Sequence, residues 1–172
     1  MVKQITFLSG PPKAGKSRLR GDLYTALRAS GYRGWFITQL SPDCEGQWVN
    51  DCHNLGRGAA AEGMARALKN SLKVSGEFFS PKQVETWCRQ LQGLVKSFDL
   101  VVADLGGLPS KENEAIVRSV AGTNIIPIVL TNQGDGRWED FWGKLGLNPV
   151  VVEYNERLGE ILADAMVSSV VK

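Results

Sequence analysis

The sequence predicts an α/β fold in three layers, a mostly parallel sheet of about five strands with helices on both faces. Three observations point there. Apolar runs of strand length alternate with stretches whose apolar residues recur at helical spacing. A glycine-rich loop joins the first apolar run to the first helical stretch. Each pair of successive strands is separated by enough chain for a right-handed crossover, the connection that covers a parallel sheet on both sides. At 172 residues the chain is long enough to bury a core and is read as one domain, 1–172.

The elements follow in order. Residues 3–9 (KQITFLS) are an apolar strand. Residues 16–30 place Leu19, Leu23 and Leu27 at intervals of four, one face of a helix, and Gly31 is its stop. Residues 34–40 are a second strand, followed by a polar loop at 41–56. Helical stretches at 57–73 and 81–97 come next, the second opening on Ser80-Pro81, a cap followed by proline at the first helical position. Segment 49–97 is therefore a helical insertion and the candidate lid. Residues 99–105 (DLVVADL) form a buried strand. A helix at 110–121 starts on Ser110 with Glu112 and Glu114 in its first turn. The strand at 124–131 contains Pro127, an awkward interior residue. A short helix near 136–145, a strand at 149–153 and a helix near 155–170 complete the chain.

Composition narrows the function classes. The formal net charge is +2, with 22% charged and 43% hydrophobic residues, so no strong field favours nucleic acid or a membrane surface. No apolar run reaches the length of a membrane span, and the N-terminus does not read as a secretory signal. Cys44, Cys52 and Cys88 are odd in number and irregular in spacing, neither a disulfide framework nor a zinc site. A cytoplasmic location is expected.

Residues 10–17, GPPKAGKS, match G-x-x-x-x-G-K-[ST] in full, with a strand before and a helix after. The chemistry needs these residue types. Gly10 and Gly15 permit backbone angles that turn amide N–H groups inward, and the helix start adds more of them with a partial positive charge. Lys16 is expected to reach the terminal phosphates of a nucleotide and Ser17 to hold Mg2+. Lys13, Ala14 and Arg18 complete the expected nucleotide contacts. Pro11 stands where partition-type ATPases carry a signature lysine, so Lys13 does not inherit that role. Asp104, at the end of DLVVADL and before Gly106-Gly107, has the place of a Walker B carboxylate that anchors Mg2+.

Two further loops are candidates. In SPDCEGQW (41–48), Asp43 and Glu45 are expected near the terminal phosphate, Asp43 as the base for an attacking hydroxyl or a helper of the metal, and Trp48 as a stacking wall. The alternative is a polar loop with a capping aspartate. Asn132, just past the fourth strand, can both donate to and accept from adenine, or simply form a turn. Arg57, Arg66 and Arg137 are further candidates for phosphate contact.

GPPKAGKS, SPDCEGQW and VVADLGG together resemble one family. The chain is similar to the P-loop domain fused to, or found beside, CRISPR-associated ring-nuclease-like proteins that act on cyclic oligoadenylates. That family's loop begins G-P-P and carries G-K-S, and its second strand ends in P-D-G-E-G-x-W. Cys44 replaces the glycine, while Asp43, Glu45, Gly46 and Trp48 match. The ring-nuclease-like half has no counterpart here. The resemblance implies an ATP-binding, kinase-like domain. The acceptor is an unidentified small molecule or nucleoside, and oligomers are possible. The alternative is a regulatory ATPase, switch or sensor that acts through a protein partner.

Overall fold

The computed structural model describes residues 3–40, 63–64, 67, 81–106, 108–131 and 136–171. Within them the chain runs β1 (Gln4–Ser9), α1 (Lys16–Ala29), β2 (Trp35–Gln39), α2 (Pro81–Ser97), β3 (Leu100–Asp104), α3 (Lys111–Arg118), β4 (Asn124–Thr131), α4 (Arg137–Lys144), β5 (Val150–Glu153) and α5 (Leu158–Val171). The five strands make one sheet in the order β2-β3-β1-β4-β5, and every pairing is parallel. The α/β class and the strand count read from the sequence are thus those of the structure.

β1 lies at the centre because all six of its residues are buried, as a strand covered on both faces requires. Its side chains alternate between two cores. Ile5 and Phe7 face a cluster with Trp87 and Leu91 of α2, Ile116 and Val117 of α3, and Trp138 and Trp142 of α4. Leu8 faces the other, with Leu19, Leu23 and Leu27 of α1 and Leu158, Ala163, Met166 and Val170 of α5. Helices therefore cover both faces, giving three layers. Gln4 and Thr6 also face the α1/α5 side. Gln4 donates to Thr6 Oγ1 at 3.4 Å and accepts from Ser169 Oγ at 2.8 Å, which keeps these buried polar groups partnered.

Pro127 finds its place through the ladder. β4 pairs with β1 from Asn124 onward, but its pairing with β5 begins only at Ile128, opposite Val150. The proline thus sits where β4 is still an edge, and its missing N–H removes no β4–β5 bond. β5 starts after Pro149 for the same reason.

Two helices differ from expectation in their bounds. α3 is shorter than 110–121. Ser110 caps it, accepting from the Asn113 amide at 3.2 Å, but past Arg118 the bonds tighten to the three-residue pattern, Val120 to Val117 and Ala121 to Arg118. α5 begins at Leu158 because Asn155 first forms a turn, accepting from the Arg157 amide at its side chain and from Leu158 at its carbonyl. Within 49–97, Pro81–Ser97 is a core helix with Trp87 and Leu91 buried. The expected helix at 57–73 lies almost wholly outside the described residues, as does Ser80.

The α1/α5 core supplies a stability test. Leu23 is fully buried between α1 and the sheet. Leu23→Ala removes its packing and leaves a cavity, and urea denaturation should show a loss of about 2–5 kcal/mol.

Candidate functional site

Parallel strands carry their following loops to one edge, and there the sequence motifs meet. Leu8 of β1 is the ladder partner of Asp104 in β3, and Asp104 is in turn the partner of Gln39 in β2. The Leu105 amide donates to Leu8 O at 2.9 Å and the Leu40 amide to Asp104 O at 2.9 Å. The glycine-rich loop, the Asp104 carboxylate and the start of the loop after β2 therefore share the carboxyl end of adjacent strands, where open parallel sheets bind ligands.

The loop's conformation follows from its glycines. Gly10 has φ 143° and Gly15 φ 94°, both in the region that disfavours side chains. Gly10 is doubly constrained, because a Cβ there would lie 2.3 Å from the carbonyl oxygen of Leu130 in β4. Lys13 takes a left-handed φ of 66° without being glycine and is exposed. Ala14 is buried, and its amide donates to Pro11 O at 3.3 Å. Pro11 is buried and Pro12 exposed, so the first proline packs beneath the loop.

Lys16, the first residue of α1, is 9% exposed. Its ammonium donates to the carbonyls of Gly10 at 2.7 Å and Pro11 at 2.9 Å, so the loop closes around it. Gly15 caps α1 in a left-handed conformation, with no side-chain cap and no acidic residue in the first turn. Nothing on the helix itself thus cancels the positive end of its dipole. Ser17 is half-buried in that turn. Arg18 is exposed, with its guanidinium 5.7 Å from the ring centroid of Tyr154.

Four contributors escaped the sequence reading. Tyr154, just past β5, packs its ring beside Gly15, where an added Cβ would meet it at 3.0 Å. Its hydroxyl donates to Asp22 Oδ2 at 2.8 Å, and burial, then that bond to an anion, pushes the phenol pKa up. Ser9 precedes the loop and is fully buried. It donates to Ile128 O at 3.0 Å and accepts from the Trp142 indole at 2.9 Å. Arg20 is the third, buried against Asp104, and Gln39 the fourth, accepting from Arg20 at 2.7 Å. One signal for Arg20 was available. Lys16, Arg20, Leu23 and Leu27 are spaced four, three and four, so two cations occupy the N-terminal end of an apolar helical stripe.

The sequence-predicted residues divide accordingly. Gly10, Lys13, Ala14, Gly15, Lys16, Ser17 and Arg18 form one loop and helix turn, with Asp104 on the adjoining strand end. Asp43, Glu45, Trp48, Asn132, Arg57 and Arg66 lie outside the described residues. Arg137 is exposed at the start of α4.

No protein-family model matches the chain, and no curated protein matches it. Solved structures do. The crystal structure of APE1195 superposes with a TM-score of 0.50 at 16% identity, over 99% of this chain and 95% of that one. The signal recognition particle 54 kDa protein from Aeropyrum pernix K1, in complex with GDP, gives 0.49 at 17% identity over 98% of this chain and 40% of that one. At this identity the likeness to APE1195 is one of fold. The motif-bearing loop joins β1 to α1 on a five-stranded parallel sheet with helices on both faces, the strand–loop–helix context that a phosphate-binding glycine-rich loop requires.

The close approach of Gly10 to β4 generates a prediction. Gly10→Ala should cost at least about 2 kcal/mol in chemical denaturation, because it combines a strained φ with a backbone clash. Gly31→Ala, with open space at its Cβ but φ 74°, should cost less.

Proposed function

We propose that this chain binds a nucleoside triphosphate at Gly10–Ser17 and transfers its terminal phosphoryl group to a small-molecule acceptor. One observation carries the reading. The loop closes around the Lys16 ammonium at an uncapped helix start, beside a strand ending in a buried aspartate. Amide donors, a lysine and a helix dipole converge there, a combination that suits a polyphosphate.

The residues also fit Mg2+. Ser17 and Asp104 are hard oxygen donors, few in number, as suits an ion that keeps most of its waters and takes the rest of its ligands from phosphate. When bound, Mg2+ would neutralise phosphate charge at this edge. The chain's own residues do the rest. Lys16 exchanges its carbonyl partners for phosphate oxygens, and the loop amides fix the phosphates in line. Asp43, three residues after Leu40 in the sequence, takes the proton of the attacking hydroxyl, with Glu45 assisting. Asn132, following β4, meets the base. Adenine is preferred because no Asn-Lys-x-Asp guanine motif occurs in the sequence.

The loop after β2 carries the link to CRISPR-associated ring-nuclease-like proteins, through Pro42-Asp43-Cys44-Glu45-Gly46-Gln47-Trp48. The chain is proposed to work in the cytoplasm. Among the described residues no helix is long and apolar enough to cross a membrane. A regulatory ATPase or nucleotide sensor would use the same phosphate loop without an acceptor.

Titration calorimetry and an acceptor screen test this reading. Lys16→Ala should weaken Mg-ATP binding by about 10- to 100-fold, the worth of a charge-assisted contact. Unchanged affinity overturns nucleotide binding at this loop. Asp43→Asn should lower phosphoryl transfer about 10²- to 10⁴-fold while leaving ATP affinity in place. Full transfer by that variant removes Asp43 as base. Hydrolysis that depends on a protein partner, with no phosphorylated small molecule, replaces the kinase with the switch.

A further inference from the structure

We propose that Arg18 and Tyr154 form the nucleoside-binding wall beside the glycine-rich loop: the guanidinium is the plane on which a nucleobase stacks, and Tyr154 is the positioning residue that holds it there. The proposal rests on the reading of this edge as a nucleotide site, and it adds which residues recognise the part of the ligand beyond its phosphates.

Sheet order sets the direction. On that reading Lys16 and Asp104 mark the end of the loop that takes the terminal phosphates. Asp104 ends β3, on one side of β1, whereas Tyr154 follows β5, on the other. A nucleotide laid across the loop therefore extends its nucleoside toward Tyr154. The loop itself ends there, since a Cβ on Gly15 would meet the Tyr154 side chain at 3.0 Å.

Arg18 stands on the same flank. It is exposed, and its Cζ lies over the Tyr154 ring, 5.7 Å from the centroid, within the roughly 6 Å reach of a cation–π contact. Among the described residues the guanidinium has this ring as its partner and forms no ion pair or hydrogen bond. An exposed guanidinium resting on a ring leaves a flat cationic surface for a second aromatic group. The ring is held in turn. Its hydroxyl donates at 2.8 Å to Oδ2 of Asp22, one helical turn along α1 from Arg18, so ring and cation are fixed to the same helix.

The charges around the pair favour a base over a phosphate. Asp22, Glu156, Glu160 and Asp164 line one groove on this flank. Burial, the bond to Asp22 and the charges of Asp22 and Glu156 push the Tyr154 phenol pKa up, while Arg18 pulls the other way. The Arg18 charge is thus already opposed by carboxylates, and a further anion gains little from it. A neutral aromatic ring meets no such opposition.

Titration calorimetry of the full chain with Mg-ATP and with inorganic tripolyphosphate separates base from phosphate, in about 0.15 M salt to screen long-range charge. Arg18→Ala should weaken ATP binding on the order of 10-fold, as loss of one stacking contact does, and change tripolyphosphate binding by less than about 2-fold. Tyr154→Leu, which removes the ring, should show the same split. Tyr154→Phe keeps the ring and loses only the hydroxyl, so it should stay within about 3-fold of wild type for ATP. Adding Tyr154→Leu to Arg18→Ala should cost little more, because the two residues act as a unit. Unchanged ATP affinity in Arg18→Ala overturns the proposal, as does a parallel loss of both ligands, which makes Arg18 a phosphate contact. A Tyr154→Phe variant as weak as Tyr154→Leu overturns the ring's positioning role. Should Tyr154→Leu not fold, the split in Arg18→Ala decides, since that side chain is exposed. Wild type that binds neither ligand overturns the nucleotide reading and this proposal with it. Wild type that binds ATP indifferently to Arg18 overturns this proposal alone.

Discussion

The pairing of β1 between β3 and β4 is the constraint from which the site follows. A parallel ladder fixes register along its whole length, so placing Leu8 opposite Asp104 and Ser9 opposite Val129 also fixes where the next residue of each strand emerges. Gly10 is the first residue beyond β1, and it leaves the sheet so close to Leu130 that no side chain fits. The loop therefore starts from a point with no freedom. Its far end is equally fixed, because α1 is seated on the sheet by Leu19, Leu23 and Leu27. The glycine-rich loop spans two anchors that belong to the core.

The polar groups at this edge are arranged in depth. Lys16 lies nearest the loop, bonded to its carbonyls, and Arg20 lies one helical turn further along, bonded to strand ends. Both are buried cations on one side of one helix, yet they meet different partners. The first bonds to carbonyls of the glycine-rich loop, and the second to a glutamine and a carboxylate at strand ends. Tyr154 closes the other flank, held to α1 through Asp22 and covered by Arg18. The region around the loop is thus braced by β5 and α1 together.

Much of the fold was legible because each strand is short, apolar and bounded by a glycine, proline or polar cluster. The strand from residue 100 is an example: its five residues are all buried, and an apolar run was all that had to be recognised. What failed were helix ends set by local hydrogen bonds, such as the Asn155 turn, which propensity does not reveal. The conformation of the glycine-rich loop was legible because its glycines are demanded by backbone geometry. Arg20 was not, because its role depends on Gln39 and Asp104, nineteen and eighty-four positions away. A charge within an apolar stripe signals that a partner exists without saying where. Pro127 was misgiving rather than error, resolved only once the extent of β5 was known.

The bond between the Trp142 indole and Ser9 has a consequence of a different kind. Ser9 adjoins Gly10, so the ring's hydrogen-bond partner is the residue on which the loop begins. Indole emission depends on such bonds and on the packing around the ring, here Phe7 at 5.7 Å and Trp138 at 6.4 Å between centroids. The protein thus carries an intrinsic optical probe one hydrogen bond from the residue that precedes its glycine-rich loop, inside the core and out of reach of solvent quenchers.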